Sequence, residues 1–322
     1  MSYGLALQAS LWPSEATHLD GSRYQQLANA IRPTLLEVLR QERLDLALLE
    51  PFCRMVIPLA AWLDHHRTPG RTLVIGISGA QGSGKTTLRR LLQPVLRECF
   101  QRRVAGLSLD DLYFTHGERE RLAREIHPLL ATRGVPGTHD IDLGFRVLAQ
   151  LTAQETATVA IPAFDKACDD RLPPAQWPVV TTPLDIVLLD GWCVGAIPQA
   201  ETMLQLPVNE LEQRDDADGT WRRHVNAQLA GDYAKLFARI DRLVLLKVPD
   251  MACVYEWRSL QEDKLEADSG GRRRILDSSG LKRFVMHYER ITRHTLEEMP
   301  ERANLVLYLN QHHQYTSVHL NP

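Results

Sequence analysis

A glycine-rich segment at positions 79–86, GAQGSGKT, constrains this sequence more than any other feature. It fits the pattern GxxxxGK[S/T], and an apolar run at 73–77 precedes it while a helical pattern follows it, as in a phosphate-binding loop. Glycines let backbone N–H groups turn toward phosphate oxygens, and the start of the helix adds partial positive charge. Lys85 would neutralise the outer phosphates, and the Thr86 hydroxyl would bind Mg²⁺. The predicted nucleotide site comprises Gly79, Ala80, Gln81, Gly82, Ser83, Gly84, Lys85, Thr86 and Thr87.

Apolar runs and amphipathic stretches alternate after this loop. Strands are predicted at about 73–77, 104–109, 158–161, 185–189, 243–248 and 305–309, and helices at about 85–99, 222–240, 252–267 and 280–298. This alternation favours an α/β fold with a central parallel sheet and helices on both faces. The polar stretches 207–221 and 268–274 are expected to be loops. The second contains Arg272, Arg273 and Arg274, and it is either a basic lid over the phosphates or a solvated surface loop.

The first 70 residues have a different character. Leucines at helical spacing predict a helix over about 22–65, and the Thr68-Pro69-Gly70 sequence then interrupts the pattern. We therefore divide the chain into a helical N-terminal extension, 1–70, and a phosphate-loop domain, 71–322.

Charge and cysteine content limit the classes of binding partner and the compartment that we expect. The net charge of −3 gives no electrostatic reason to expect a nucleic-acid or membrane partner, and it is compatible with a small anionic substrate. The phosphate loop leads us to expect a small-molecule substrate. The five cysteines are scattered and form no CxxC pair, which is typical of a reducing compartment, and we expect a cytoplasmic location without signal or membrane segment. His312, His313 and His319 do not have zinc-site spacing and are expected in a flexible tail. The oligomeric state is left open.

Two acidic residues stand where predicted strands end. Asp110 follows the run 104–109, and Asp190 follows the run 185–189. Because the carboxyl ends of parallel strands meet at the ligand edge of an α/β sheet, both should lie beside the phosphate loop. Asp190 would bind Mg²⁺ or one of its waters, and Asp110 would orient an alcohol that accepts the phosphoryl group. Alternatively, Asp110 and Asp190 only cap turns. For Asp111 two roles stay open: an indirect contact with magnesium, or an N-cap.

The segment 76–87, GISGAQGSGKTT, resembles the P-loop kinase family of uridine kinase, phosphoribulokinase and bacterial pantothenate kinase. The segment SLDDLYF at 108–114 is similar to the strand-end acidic motif of that family. This resemblance implies that Asp110 is the catalytic base and places Tyr113 on the substrate side. Related kinases commonly have Glu at the position of Asp190, which implies that this shorter side chain acts through water.

Further segments match the same family. RGVPGTHD at 133–140 resembles its G-x-P-x-x-[Y/H]-D motif, which implies that Asp140 holds a substrate hydroxyl, with a helix N-cap as the alternative. PAFDKACDDR at 162–171 resembles P-x-[Y/F]-D…R, which implies that Lys166 and Arg171 pair with an anionic acceptor or the transferred phosphate, unless they are ordinary surface charges. Arg258 would either reach the phosphates or pair with Glu262 one helical turn away.

Together the segments at 108–114, 133–143, 162–171, 183–195 and 247–262 resemble the D-glycerate 3-kinases of plants and cyanobacteria and their bacterial and fungal relatives. The resemblance implies transfer from ATP, with Mg²⁺, to D-glycerate, giving 3-phosphoglycerate. It also implies a cation for the glycerate carboxylate, drawn from Arg133, His139, Lys166 and Arg171.

Three alternatives stay open at this stage. The chain could phosphorylate another small alcohol, act as a nucleotide-driven switch, or bind nucleotide without catalysis. The segments around Asp110, Asp140 and Lys166 argue against a switch, because a switch needs no acceptor site. The intact Lys85, Thr86 and Asp110 argue against a silent nucleotide binder.

Overall fold

The glycine-rich segment follows a central strand of a six-stranded sheet. The computed structural model describes residues 11–13, 16, 19–269 and 278–321, with only the backbone for 261–269 and 278–279. Its strands are, in chain order, β1 (Leu73–Gly79), β2 (Val104–Ser108), β3 (Thr158–Ala160), β4 (Phe164–Asp165), β5 (Asp170–Arg171), β6 (Val179–Thr181), β7 (Ile186–Gly191), β8 (Arg242–Lys247), β9 (Leu305–Leu309) and β10 (Tyr315–Leu320).

The central sheet has the order β10–β9–β8–β1–β7–β2. Its neighbouring strands run parallel except for β10, which pairs antiparallel with β9. Every residue of β1 and β7 is buried, as expected for strands covered on both faces. The predicted α/β fold with a parallel sheet is therefore confirmed.

Helices cover both faces of this sheet. In chain order they are α1 (Gly21–Gln41), α2 (Leu49–His65), α3 (Lys85–Pro94), α4 (His116–Glu125), α5 (Ile141–Thr152), α6 (Glu210–Asp215), α7 (Thr220–Gln228), α8 (Ala234–Phe237), α9 (Met251–Ser269) and α10 (Ser278–Arg302). Apolar residues of α1, α2 and α3 pack with one face of β1, and those of α5, α7 and α8 belong to a second core on the other face.

The N-terminal helical region differs from the single helix predicted over 22–65. It forms α1 and α2, separated by a turn in which Arg43 adopts a left-handed φ of 53°. The Asp45 carboxylate then accepts a hydrogen bond from the Ala47 N–H at 2.9 Å and starts a short 3₁₀ turn at Leu46–Leu48. Both helices contribute to the same core as β1, and the domain boundary at residue 70 stays a prediction.

Four other local predictions need correction. Strand β3 lies outside the central sheet, because it pairs antiparallel with β6. The expected loop at 207–221 contains α6, which begins where the Asn209 side chain accepts a hydrogen bond from the Glu212 N–H at 3.0 Å. The expected flexible tail forms β10, so His319 is a strand residue. Of the expected loop at 268–274, two residues belong to α9, and Arg272, Arg273 and Arg274 lie outside the described residues.

The segment Leu46–His65 is long and apolar enough to cross a membrane, contrary to the expectation that no such segment exists. More than half of it is buried within the protein, because α2 packs against α1 and α3. By length and composition alone a core helix passes the same test, so this single segment is weak evidence for a membrane span. The expected cytoplasmic location stays a prediction.

Shortening Ile57, a fully buried residue of α2, tests whether the N-terminal helices fold with the sheet. We expect Ile57→Ala to lower the free energy of unfolding by about 2–5 kcal/mol, because it leaves a cavity in the shared core. Arg54→Ala, an exposed change on the same helix, should alter it by about 0.5 kcal/mol or less. Urea unfolding should show one transition; a separate transition that alone responds to Ile57→Ala would contradict the shared core.

Candidate active site

The phosphate loop joins the end of β1 to the start of α3. Gly82 has a left-handed φ of +76°, and a Cβ at this position would lie 2.8 Å from the Trp257 Cβ. Glycine is therefore required here both by backbone conformation and by the close approach of α9. The Lys85 ammonium folds back over the loop and donates to the Ala80 carbonyl oxygen at 2.8 Å.

Asp190 is the last residue but one of β7, lies directly beside this loop and is 1% exposed. The Thr86 hydroxyl donates to its Oδ2 at 3.4 Å, and the Arg89 Nε lies 2.7 Å from its Oδ1 in an ion pair. Burial raises the pKa of Asp190, while the Arg89 charge opposes that rise. Arg89 was missed in the sequence, although its position three residues after Thr86 places both on one side of α3.

The Thr86 hydroxyl and the Asp190 carboxylate are adjacent oxygen donors. No cluster of three or more His, Cys, Asp or Glu side chains suited to a metal occurs in the described part of the chain. Mg²⁺ at a nucleotide site commonly takes one or two protein oxygens and completes its shell with phosphates and waters. The pair formed by Thr86 and Asp190 fits that pattern, with Arg89 as the cation that now balances the carboxylate.

Asp110 follows β2, at the same edge of the sheet. Its position next to Asp190 follows from the parallel register in which Ser108 pairs with Asp190. The Tyr113 hydroxyl donates to Asp110 Oδ1 at 2.9 Å, and the Lys166 ammonium donates to Oδ2 at 2.6 Å. Burial opposes ionisation, but the Lys166 charge and hydrogen bond outweigh it and lower the pKa of Asp110 to about 2. Asp110 is therefore a carboxylate at neutral pH.

Asp111 makes a contact that neither expectation for it included. Its Oδ1 accepts a hydrogen bond from the Phe164 N–H at 3.1 Å, which ties the end of β2 to β4. Burial raises the pKa of Asp111 to about 6. The pKa values of the neighbouring carboxyl groups thus shift in opposite directions: Lys166 lowers that of Asp110, and burial raises that of Asp111. Asp111 positions the segment that carries Lys166.

The segments at 133–140 and 162–171 are joined by charged groups. Asp140 caps α5 by accepting from the Leu143 N–H at 2.9 Å, and its other oxygen accepts from Arg171 at 3.3 Å. Arg171 also donates to the Tyr113 carbonyl oxygen at 2.7 Å. The N-cap alternative for Asp140 is therefore realised, and Arg171 connects both segments to Tyr113.

Arg133 is engaged in a similar way. It forms an ion pair with Asp169 and lies over the Phe164 ring, with its Cζ 5.6 Å from the ring centroid. The next residue, Gly134, has a φ of +133°, and a Cβ there would overlap the Tyr288 hydroxyl. Because Tyr288 donates to the Arg133 carbonyl oxygen at 2.8 Å, the turn is held against α10.

His139 does not supply the positive charge that the sequence suggested. It is 2% exposed, and its ring stacks on Tyr113 with centroids 4.6 Å apart. Burial lowers the pKa of His139 to about 3, although the nearby Asp110 opposes that effect. The imidazole is therefore neutral at physiological pH, and the cations beside Asp110 and Asp140 are Lys166 and Arg171.

Arg258 lies between α9 and α10, with its Cζ 5.2 Å from the Phe284 ring centroid. Burial raises the pKa of Tyr288, and the charges of Arg133 and Arg258 act against that rise, so Arg258 lies close enough to Tyr288 to interact with it electrostatically. A contact of Arg258 with the phosphates stays a prediction. The side chain of Glu262 is outside the described residues, so the alternative pairing stays untested.

The C-terminal hairpin contacts the phosphate loop, which sequence reasoning missed. The rings of Trp257 and His313 stack with centroids 3.8 Å apart, and the His313 Nε2 donates to the Gly82 carbonyl oxygen at 3.0 Å. Trp257 also donates to the Gln311 carbonyl oxygen at 3.1 Å. The residues expected in a flexible tail therefore brace the loop, and no local pattern in the sequence signals this.

Comparison with known proteins finds relatives among kinases. No protein-family model matches the sequence. An uncharacterised kinase of Schizosaccharomyces pombe, mug58, is 35% identical over 264 residues, which cover 79% of this chain and 86% of that protein. The chloroplastic D-glycerate 3-kinase of Arabidopsis thaliana is 31% identical over 205 residues, covering 61% of this chain and 42% of the plant protein.

A solved structure shares the fold. The D-glycerate 3-kinase of Cryptococcus neoformans superposes with a TM-score of 0.66 at 23% identity, covering 94% of this chain and all of that one. At this identity the likeness establishes the architecture alone.

The charge on Lys85 gives the site a testable pH dependence. Burial lowers the pKa of Lys85 to about 8, although Asp110 and Asp190 oppose the shift. Above that pH the free protein must take up a proton to bind a triphosphate with charged Lys85, so affinity for ATP should fall about tenfold per pH unit. Lys85→Arg should abolish the fall, because a guanidinium stays protonated. Calorimetric titrations from about pH 6.5 to 9.5 measure this; an equal decline in both proteins would contradict it.

Proposed function

Because this chain belongs to the family of ATP-dependent P-loop kinases, we propose that it transfers the γ-phosphoryl group of ATP to D-glycerate, giving 3-phosphoglycerate. The observation that carries the proposal is the ionised Asp110, which lies at the strand edge beside the phosphate loop and is paired with a lysine from the acceptor segment. A carboxylate in that place can hold a hydroxyl next to a bound triphosphate.

The nucleotide half of the proposal rests on the phosphate loop. Lys85 would exchange the Ala80 carbonyl for phosphate oxygens, to which its ammonium is more strongly attracted. Thr86 and Asp190 would hold Mg²⁺, with Arg89 balancing the remaining charge of the carboxylate. Bound Mg²⁺ would neutralise negative charge on the phosphates.

Transfer of the phosphoryl group requires no covalent bond between the protein and the substrates. The acceptor oxygen forms a bond to the γ-phosphorus as the bond to the bridging β,γ-oxygen breaks, with the two oxygens in line. Asp110 orients the acceptor hydroxyl and takes its proton as the new bond forms. With a pKa lowered to about 2 in the resting site, Asp110 is a weak base, so orientation is the larger part of its contribution.

An anionic acceptor fits the charges around Asp110. The Lys166 side chain is 54% exposed, and it can move from Asp110 to an incoming carboxylate at little cost in packing. Arg171 and Arg133 are less exposed and bind Asp140 and Asp169, so they would shape the acceptor segment. We assign Lys166 the contact with the glycerate carboxylate.

A substrate panel tests the proposed acceptor. Purified protein with ATP and Mg²⁺ is offered D-glycerate, L-glycerate, uridine, pantothenate and ribulose 5-phosphate, and ADP formation is measured. We expect turnover with D-glycerate and 3-phosphoglycerate as the product. The reason is that Lys166, which can bind a carboxylate, lies beside Asp110, which can hold a hydroxyl. Turnover with a different member, and not D-glycerate, would refute the acceptor while leaving the kinase assignment in place.

Replacing Asp110 by asparagine tests its role. We expect Asp110→Asn to lower kcat by about 100-fold or more, because an amide orients the hydroxyl poorly and accepts no proton. Asp142→Asn, an exposed change on α5, should leave kcat unchanged. Steady-state kinetics with D-glycerate, alongside ATP binding by calorimetry, separates catalysis from nucleotide affinity. An Asp110→Asn variant with wild-type kcat would contradict the assignment.

A further inference from the structure

His139 is a buried polar side chain in the acceptor site whose hydrogen bonds are incompletely satisfied. Its Nδ1 lies 2.6 Å from the Tyr233 hydroxyl, whereas its Nε2 has no hydrogen-bond partner among the residues that the structure describes. A buried donor or acceptor left without a partner costs about 1–3 kcal/mol. Such a group therefore needs an explanation, and at this edge of the sheet a bound ligand is the natural one.

The hydrogen-bond network assigns the tautomer of His139. The Tyr233 oxygen accepts from the Gly137 N–H at 3.0 Å, so its own proton is available for His139. If Tyr233 donates to Nδ1, only the Nε2–H is left without a partner. If Nδ1 carries the proton instead, both the Tyr233 proton and the Nε2 lone pair are left unsatisfied. The first arrangement leaves one group without a hydrogen bond and the second leaves two, so the first is favoured. In it, Nε2 carries the proton and is a donor.

The surroundings of the imidazole connect it to the reacting groups. Its ring stacks on Tyr113, and the Tyr113 hydroxyl donates to Asp110. The backbones of Tyr113 and His139 also pair as an isolated antiparallel bridge, which fixes the spacing between the two rings. The Nε2–H is thus a neutral donor on a rigid support, and its ring is linked through Tyr113 to Asp110, the residue proposed to orient the acceptor hydroxyl.

We propose that His139 donates a hydrogen bond from Nε2 to a second oxygen of the acceptor, beside the hydroxyl that is phosphorylated. This inference rests on the proposed kinase function and deepens it. It defines the acceptor class as small molecules with vicinal oxygens, such as diols and hydroxy acids. A site built around a buried donor discriminates strongly against an analogue that lacks the matching oxygen.

Two substitutions separate the donor from the ring. His139→Phe keeps an aromatic ring against Tyr113 and removes the Nε2–H, and we expect it to raise KM for D-glycerate about 10- to 100-fold. His139→Gln keeps an N–H donor and should restore KM to within a few-fold of wild type. KM for ATP should be unchanged in both. Equal KM values for D-glycerate in wild type and His139→Phe would overturn the inference, and turnover by the wild type would still uphold the proposed function.

A direct readout is independent of turnover and of any loss of packing around Tyr233. In protein labelled with ¹⁵N-histidine, NMR should show His139 protonated at Nε2 and not at Nδ1. Adding D-glycerate with a non-hydrolysable ATP analogue should shift the Nε2 resonance and slow exchange of its proton. A proton on Nδ1, or an Nε2 resonance that D-glycerate leaves unchanged, would overturn the inference and indicate a purely structural histidine.

Discussion

The parallel pairing of β2, β7 and β1 is the constraint on which the candidate site depends. Ile77 of β1 and Ser108 of β2 both pair with Asp190 of β7, so the three strands end at the same level. Segments far apart in the chain therefore meet at one edge: the phosphate loop after β1, Asp190 at the end of β7, and Asp110 after β2. A one-residue slip of any strand would turn its terminal side chain to the opposite face of the sheet.

Internal ion pairs balance the charges of this edge in the structure. Asp190 is paired with Arg89, Asp110 with Lys166, and Asp140 with Arg171. Partly buried charges of this kind are tolerated only when they are paired, because removing them from water is costly. On this account substrates bind by exchange: phosphates replace the Ala80 carbonyl as the partner of Lys85, and an acceptor carboxylate replaces Asp110 as the partner of Lys166. Most charged side chains of the site are therefore already largely removed from water in the folded protein, before substrates bind.

The sequence predicted the parts of this arrangement that local patterns encode. The apolar runs of β1, β7 and β8 and the loop between β1 and α3 were located because buried parallel strands are continuously apolar. The division between α1 and α2 was missed because it depends on a left-handed Arg43 and the Asp45 cap. Strand β10 was missed because it is an edge strand without an apolar run, and half of its residues are exposed.

The sequence predicted which residues form the site better than it predicted their charges and contacts. Asp110, Asp190 and Lys85 were identified from motif and strand-end position, and the structure brings them together. The neutrality of His139 could not be read from the sequence, because it arises from burial against Tyr113 and Tyr233, which come from distant segments. The contact of His313 with the phosphate loop likewise depends on tertiary packing.

The central claim is that both substrates meet at this edge and that the phosphoryl group passes directly between them. The most direct measurement is the stereochemical course of the reaction, followed by ³¹P NMR with ATP made chiral at the γ-phosphorus by oxygen isotopes. A single in-line displacement onto D-glycerate predicts inversion of configuration at phosphorus in 3-phosphoglycerate. Retention would indicate two successive displacements through a phosphorylated protein group, and it would contradict this account.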